Sequence, residues 1–165
     1  QLLPEGESFQ STLIAAPPGA GKTTLLRDMV AELSNGTESR RAMRVGVVDE
    51  RGEIAGMYRG VPQLDVGCHT DVLDACPKAL GIPMLLRCAN PQVIAVDEIT
   101  EEADILAMTA AANCGVKLLA TIHAEGPEDL RRKPLFCRMA HAGVFRRLIT
   151  ITVTDGRRCY GAEEL

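Results

Sequence analysis

Ala16-Pro17-Pro18-Gly19-Ala20-Gly21-Lys22-Thr23 follows the apolar run Thr12-Leu13-Ile14-Ala15 and leads into a stretch with helical spacing. Small residues let backbone N–H groups turn inward, and a helix N-terminus behind them completes a cradle for the β- and γ-phosphates of a nucleotide. The predicted phosphate-binding positions are Pro18, Gly19, Ala20, Gly21, Lys22, Thr23 and Thr24. Lys22 would add a positive charge, and the Thr23 hydroxyl would hold Mg²⁺. The first glycine of the G-x-x-x-x-G-K-[ST] pattern is replaced by Ala16, a small residue and a mild departure. A nucleoside triphosphate and Mg²⁺ are therefore the expected ligands.

The chain has 165 residues, enough for one α/β domain with a sizeable core and too few for two. Apolar residues are 46% and charged residues 24%, with a net charge of −4. That balance is globular, and it does not suit a polyanion-binding surface as a whole. Five aromatic residues (Phe9, Tyr58, Phe136, Phe145 and Tyr160) give no stacking platform for single-stranded nucleic acid. The six cysteines include no C-x-x-C pair, so neither a metal cluster nor a disulfide scaffold is expected. No apolar run is long enough to span a membrane and no signal peptide is recognised. Because the chain starts without Met and close to its first strand, residues 1–165 are expected to be an ATPase domain excised from a longer protein, its N-terminal domain absent.

Apolar periodicity predicts a strand over Leu13–Ala15, a helix over Thr23–Leu33 stopped by Ser34-Asn35-Gly36, and a strand over Val45–Val48 ending at Asp49. Glu50–Asp71 is rich in glycine and predicted to be loop, with a short helix near Glu53–Tyr58. Asp74–Cys88 has helical spacing, although Pro83 should kink it or shift a boundary. Further expectations are a strand over Val93–Val96, a helix over Glu101–Asn113, a strand over Leu118–Ile122, and short helices over Pro127–Arg132 and Pro134–Ala140. Asp155-Gly156 between Leu148–Val153 and Arg157–Tyr160 predicts a hairpin with a type I′ turn. Apolar strands alternating with helices imply an α/β fold: a mostly parallel sheet, helices on both faces, and a C-terminal β-hairpin.

Asp97 and Glu98 follow four apolar strand residues, at the strand end where α/β sheets bind ligands. A solvated acidic turn would look the same in isolation, but the phosphate loop earlier in the chain favours a site. Asp97 would hold Mg²⁺ and Glu98 would polarise the attacking water. One strand separates these motif strands in sequence, and a later one ends Thr121-Ile122-His123. That order fits the RecA/AAA-like division of P-loop NTPases, in which the later strand inserts between the two motif strands, and it makes Thr121 and His123 γ-phosphate sensors. Asp49-Glu50-Arg51-Gly52-Glu53 is the other acidic cluster; Glu53 or Glu50 would share water activation with Glu98. Arg51, Arg59, Arg87, Arg131, Arg132, Arg146 and Arg147 are candidates for an arginine acting between subunits.

Pro17 to Asp28, Val48 to Gly56, Pro62 to Gly67, Thr70 to Ala79, Leu85 to Arg87, Asn90-Pro91 and Val93 to Ile99 together resemble the stage III sporulation protein AA family. That family is similar to the hexameric ATPases of type II and type IV secretion and of pilus systems. The resemblance implies that Asp49–Glu53 is an acidic box, Asp97-Glu98 a Walker B end, and Thr121–Ala124 a histidine box, with Arg87 matching an arginine that precedes Walker B. It also implies Mg-dependent ATP hydrolysis by a homo-hexamer, cytoplasmic and peripheral to membrane protein components of a channel between mother cell and forespore. The tetracysteine module of the secretion ATPases is missing. The alternative is a nucleic-acid-directed P-loop ATPase, as in relatives fused to a single-stranded nucleic-acid-binding module. Its Arg-x-x-x-His signature is absent, and a nucleic-acid partner is not expected.

Overall fold

The computed structural model describes residues 8–154 and 156–165. Strand β1 (Thr12–Ala16) is buried at every position, as the apolar run requires, and gives way through the phosphate loop to α1 (Lys22–Asn35). Strands β2 (Val45–Asp49), β5 (Thr70–Asp74), β6 (Val93–Val96), β7 (Lys117–His123), β8 (Arg147–Thr154) and β9 (Arg157–Glu164) join β1 in a seven-stranded sheet ordered β5-β2-β6-β7-β1-β8-β9. Every pairing in it is parallel except the terminal β8–β9 hairpin. β7 lies between β1 and β6, the insertion expected of the RecA-like division.

Helices cover both faces. On one, α1 packs Leu26, Met29, Val30 and Leu33 against Ile14, Val47, Ala95 and Leu119. On the other, α2 (Lys78–Cys88), α3 (Glu102–Asn113), α4 (Pro127–Arg132) and α5 (Pro134–His141) close over Leu13, Val48, Ile94 and Leu118. Alternate strand residues supply the two cores, because successive side chains point to opposite faces. Gly81 explains how α2 reaches the sheet: a Cβ there would sit 2.6 Å from Val48 Cγ1, so only glycine permits this approach.

Three local expectations are corrected. The segment predicted as helix from Asp74 divides: Thr70–Asp74 is an edge strand, and α2 starts only at Lys78, after Pro77. Pro83 lies inside α2, so the boundary has shifted and the helix continues past it to Cys88. The short helix expected near Glu53–Tyr58 does not form. Asp49 captures the amides of Glu53, Ile54 and Ala55, and Met57–Tyr58 (β3) pairs antiparallel with Val61–Pro62 (β4). Arg59 and Gly60 link them with φ of 50° and 80°, the left-handed pair that a type I′ turn needs. In the C-terminal hairpin both strands run longer than expected; Asp155 of the predicted type I′ turn lies outside the described residues. Among the described residues, no helix is long and apolar enough to cross a membrane.

Candidate nucleotide site

Strand register brings the motifs together. Ala16, where β1 enters the phosphate loop, is opposite His123 at the end of β7, and Ala124 donates its N–H to the Ala16 carbonyl at 3.1 Å. Val96, just before Asp97, is opposite Ala120 on β7 and Val48 on β2. All these strands are parallel, so the residues after their C-terminal ends collect along one edge of the sheet. A cleft of about 470 Å³ opens there, lined by Pro18, Gly19, Lys22, Thr23, Arg51, Glu53, Asp97, Glu98 and His123.

Within it, the Thr23 hydroxyl donates to Asp97 Oδ2 at 2.6 Å, joining positions 74 residues apart. Asp97 Oδ1 accepts the hydroxyl of fully buried Thr121, whose oxygen also accepts the Glu98 N–H at 2.8 Å. Thr121 thus fixes the Asp97 carboxylate and the Glu98 backbone with one hydroxyl. Glu98 needs this support, because its φ of 49° lies in the left-handed region that costs a residue with a Cβ about 1–3 kcal/mol. Its carboxylate forms an ion pair with Arg51. Gly19 and Gly21 have φ of 70° and 100°, left-handed values that turn the loop; Lys22 Nζ donates to the Pro17 carbonyl at 3.2 Å.

The acidic box separates into distinct roles. Asp49 is 2% exposed and accepts the N–H of Glu53 at 2.9 Å, of Ile54 at 3.1 and 3.2 Å, and of Ala55 at 2.8 Å. Those bonds shape the loop that presents Glu53 to the cleft. Glu50 does not line that cleft; it pairs with Lys78, a lysine only 6% exposed whose Nζ also lies 3.8 Å from Asp104. Asp104 in turn closes the capping box of α3 with Glu101. Near His123, the Glu125 N–H donates to Asp129 at 3.0 Å. With the Lys133 ammonium, this bond holds the Asp129 carboxyl below the usual carboxylate range despite some desolvation.

Among the remaining expected positions, Ala20 is buried with its N–H toward the Pro17 carbonyl, Gly21 caps α1, and Thr24 is exposed on the first turn. Arg87 is exposed in the last turn of α2 and does not line this cleft. Lys78 begins that helix beside the acidic box, and Arg87 follows it by about 13 Å of helix rise. Three residues that sequence reasoning passed over matter more. Arg27 donates from Nε to the Ile54 carbonyl and from Nη2 to the Glu53 carbonyl, both at 2.6 Å, tying α1 to the acidic loop. Lys78 is the second, and Arg158 of β9, whose guanidinium rests against Gly21, is the third. Only Arg27 left a trace in sequence, one helical turn after Thr23 on the same helix.

A strand–loop–helix cradle, an acidic strand end and an inserted histidine strand define a RecA-like P-loop NTPase fold. The model of the family described as "Sporulation stage III, protein AA" matches residues 2–159, and the chain belongs to that family. It is 41% identical over 149 residues to the stage III sporulation protein AA of Bacillus subtilis strain 168, an alignment that covers 90% of this chain and 48% of that relative. The chain therefore spans about half the length of that relative. Its fold is similar to the ATPase DotB of Legionella pneumophila, with a TM-score of 0.69 at 22% identity over 99% of this chain and 46% of that one. The pilus retraction motor PilT, solved with bound ADP, gives a TM-score of 0.64 at 18% identity over 96% of this chain and 48% of that one.

Proposed function

We propose that the chain hydrolyses ATP with Mg²⁺ and is the motor domain of a secretion-type membrane assembly acting in sporulation. The observation that carries this is the 2.6 Å bond between Thr23 and Asp97. Two oxygens from separate motifs converge in the cleft that Lys22 lines, the donor chemistry a hard divalent cation on a phosphate requires. Pro18 and Gly19 of the phosphate loop line the same cleft, where phosphates would sit. These residues fit both ligands. When bound, Mg²⁺ would neutralise phosphate charge.

Around that centre each side chain has a distinct task. Lys22 and the loop amides attract phosphate oxygens. The Glu98 carboxylate, held near the cleft by Thr121, accepts a hydrogen bond from water and later its proton. Glu53 shares in orienting that water, and His123 reads the phosphate end of the cleft. Glu98 must first exchange its contact with Arg51 for one with water. That ion pair is solvent-exposed, so releasing it costs only about 0–1 kcal/mol.

The wider reading is that residues 1–165 form one ATPase domain of a longer, cytoplasmic protein. Six copies would form a ring on membrane components of a channel between mother cell and forespore. Family membership and the secretion-ATPase fold support it. Arg87, which does not line its own cleft, would then face a neighbouring subunit. Phosphate release from MgATP tests the core of the proposal: the chain should turn over ATP, and Lys22→Ala should reduce turnover to background. Undiminished turnover by that variant defeats the assignment, and strong stimulation by single-stranded DNA or RNA favours the nucleic-acid-directed alternative.

A further inference from the structure

The C-terminal hairpin reaches past the sheet edge. β8 pairs with β1 only from Arg147 to Thr150, opposite Thr12 to Ala15, and then continues for four more residues, while β1 ends one residue on, at Ala16, and turns into the phosphate loop. β9 returns alongside it with Arg158 opposite Val153, so this arginine lies on the overhanging part. Its guanidinium lies against the phosphate loop: a Cβ on Gly21 would be 3.3 Å from Arg158 Cζ and 3.5 Å from Nη2. Gly21 is the N-cap of α1, and the first turn of α1 contains no acidic residue.

Among the described residues, no carboxylate pairs with Arg158. The Arg158 guanidinium lies beside the N-terminus of α1, at the residue before Lys22. Positive charge at a helix N-terminus is unfavourable, and an anion between these groups would reverse the sign of each interaction. We propose that Arg158 is a phosphate-binding residue of the nucleotide site, supplied by the hairpin of the same chain. Its contact is with Gly21 of the phosphate loop, so its task would be to hold phosphates that ATP and ADP share rather than to activate water. The inference rests on the proposed nucleotide site.

Calorimetric titration of the chain with MgADP and with a non-hydrolysable MgATP analogue tests it. Arg158→Ala should weaken both ligands about 10- to 100-fold, the loss of one charge-assisted bond. Arg158→Lys should recover part of the affinity. Arg157→Ala is the control, because strand alternation points that neighbour to the opposite face. Its binding should match the unsubstituted chain. Unchanged affinity in Arg158→Ala, or an equal loss in Arg157→Ala, overturns the role of Arg158 and leaves the site intact. If the unsubstituted chain binds neither ligand, or Lys22→Ala binds both as well as it does, the nucleotide site itself is refuted and Arg158 with it.

Discussion

Replacing Asp49 by Asn tests how the acidic loop is built, because the side chain keeps its shape and loses one acceptor and its charge. Asp49 Oδ1 accepts the Glu53 amide at 2.9 Å and Oδ2 the Ala55 amide at 2.8 Å, while Ile54 lies between them. An asparagine has one oxygen, so either Glu53 or Ala55 must face its NH₂ group. Leaving that buried N–H without an acceptor costs about 1–3 kcal/mol, and the surviving bonds lose their charge assistance, roughly half their strength. The sum is about 3 kcal/mol, a large part of the 5–15 kcal/mol by which domains are typically stable.

For a chain of this size, that loss corresponds to a fall in melting temperature of about 6–12 °C. Urea unfolding should show the same difference with an unchanged m-value. Amide hydrogen exchange gives the local readout: the N–H groups of Glu53, Ile54 and Ala55 should exchange faster while those of β1 and β7 keep their protection relative to global stability. A melting temperature within about 2 °C of the unsubstituted chain, with residues 53–55 still protected, would refute the claim that this carboxylate organises the loop.

Lys78→Met removes the cation that Glu50 and Asp104 share. Since Asp104 is buried but Glu50 is partly exposed, the loss should be about 2–3 kcal/mol in urea unfolding, at the low end for a broken buried pair. Glu98→Gln and Glu53→Gln should each slow hydrolysis by about 10²- to 10⁴-fold while nucleotide affinity stays within about threefold, measured by single-turnover kinetics and titration. If only one of the two slows the reaction, water activation is not shared.

The sequence was most legible where a motif is short and its strand apolar. The phosphate loop, the Val93–Val96 strand with its two acids and the alanine-rich α3 all carried local signals, and the fit of the strand order to the RecA/AAA-like division placed β7 between β1 and β6. β5 was missed because Thr70-Asp71-Val72-Leu73-Asp74 is an edge strand, half-exposed and polar enough to resemble loop. The loop from Glu53 misled for a different reason: its conformation is dictated by Asp49, whose effect on three amides no periodicity records. Partners across the sheet were equally invisible. Nothing in the spacing of Lys78 or Arg158 from the motifs says that the fold will bring them to Glu50 or Gly21.

Burial explains how one dense set of acids can serve both folding and chemistry. Asp49 and Asp104 are almost fully buried, and their oxygens are committed to backbone amides and to Lys78. A carboxylate so engaged cannot exchange partners during a reaction without unfolding its surroundings. Glu98 and Glu53 face the cleft, and the one strong contact of Glu98, to Arg51, is open to solvent. Asp97 stands between the two groups: one oxygen is fixed by buried Thr121, while the other meets Thr23 in the cleft. The gradient runs from structural to exchangeable across the sheet edge, and it separates the acids more sharply than their shared motif does. Motif identity alone would make Asp49, Glu50 and Glu53 equivalent; their partners set them apart, with Asp49 on backbone amides, Glu50 on Lys78 and Glu53 at the cleft.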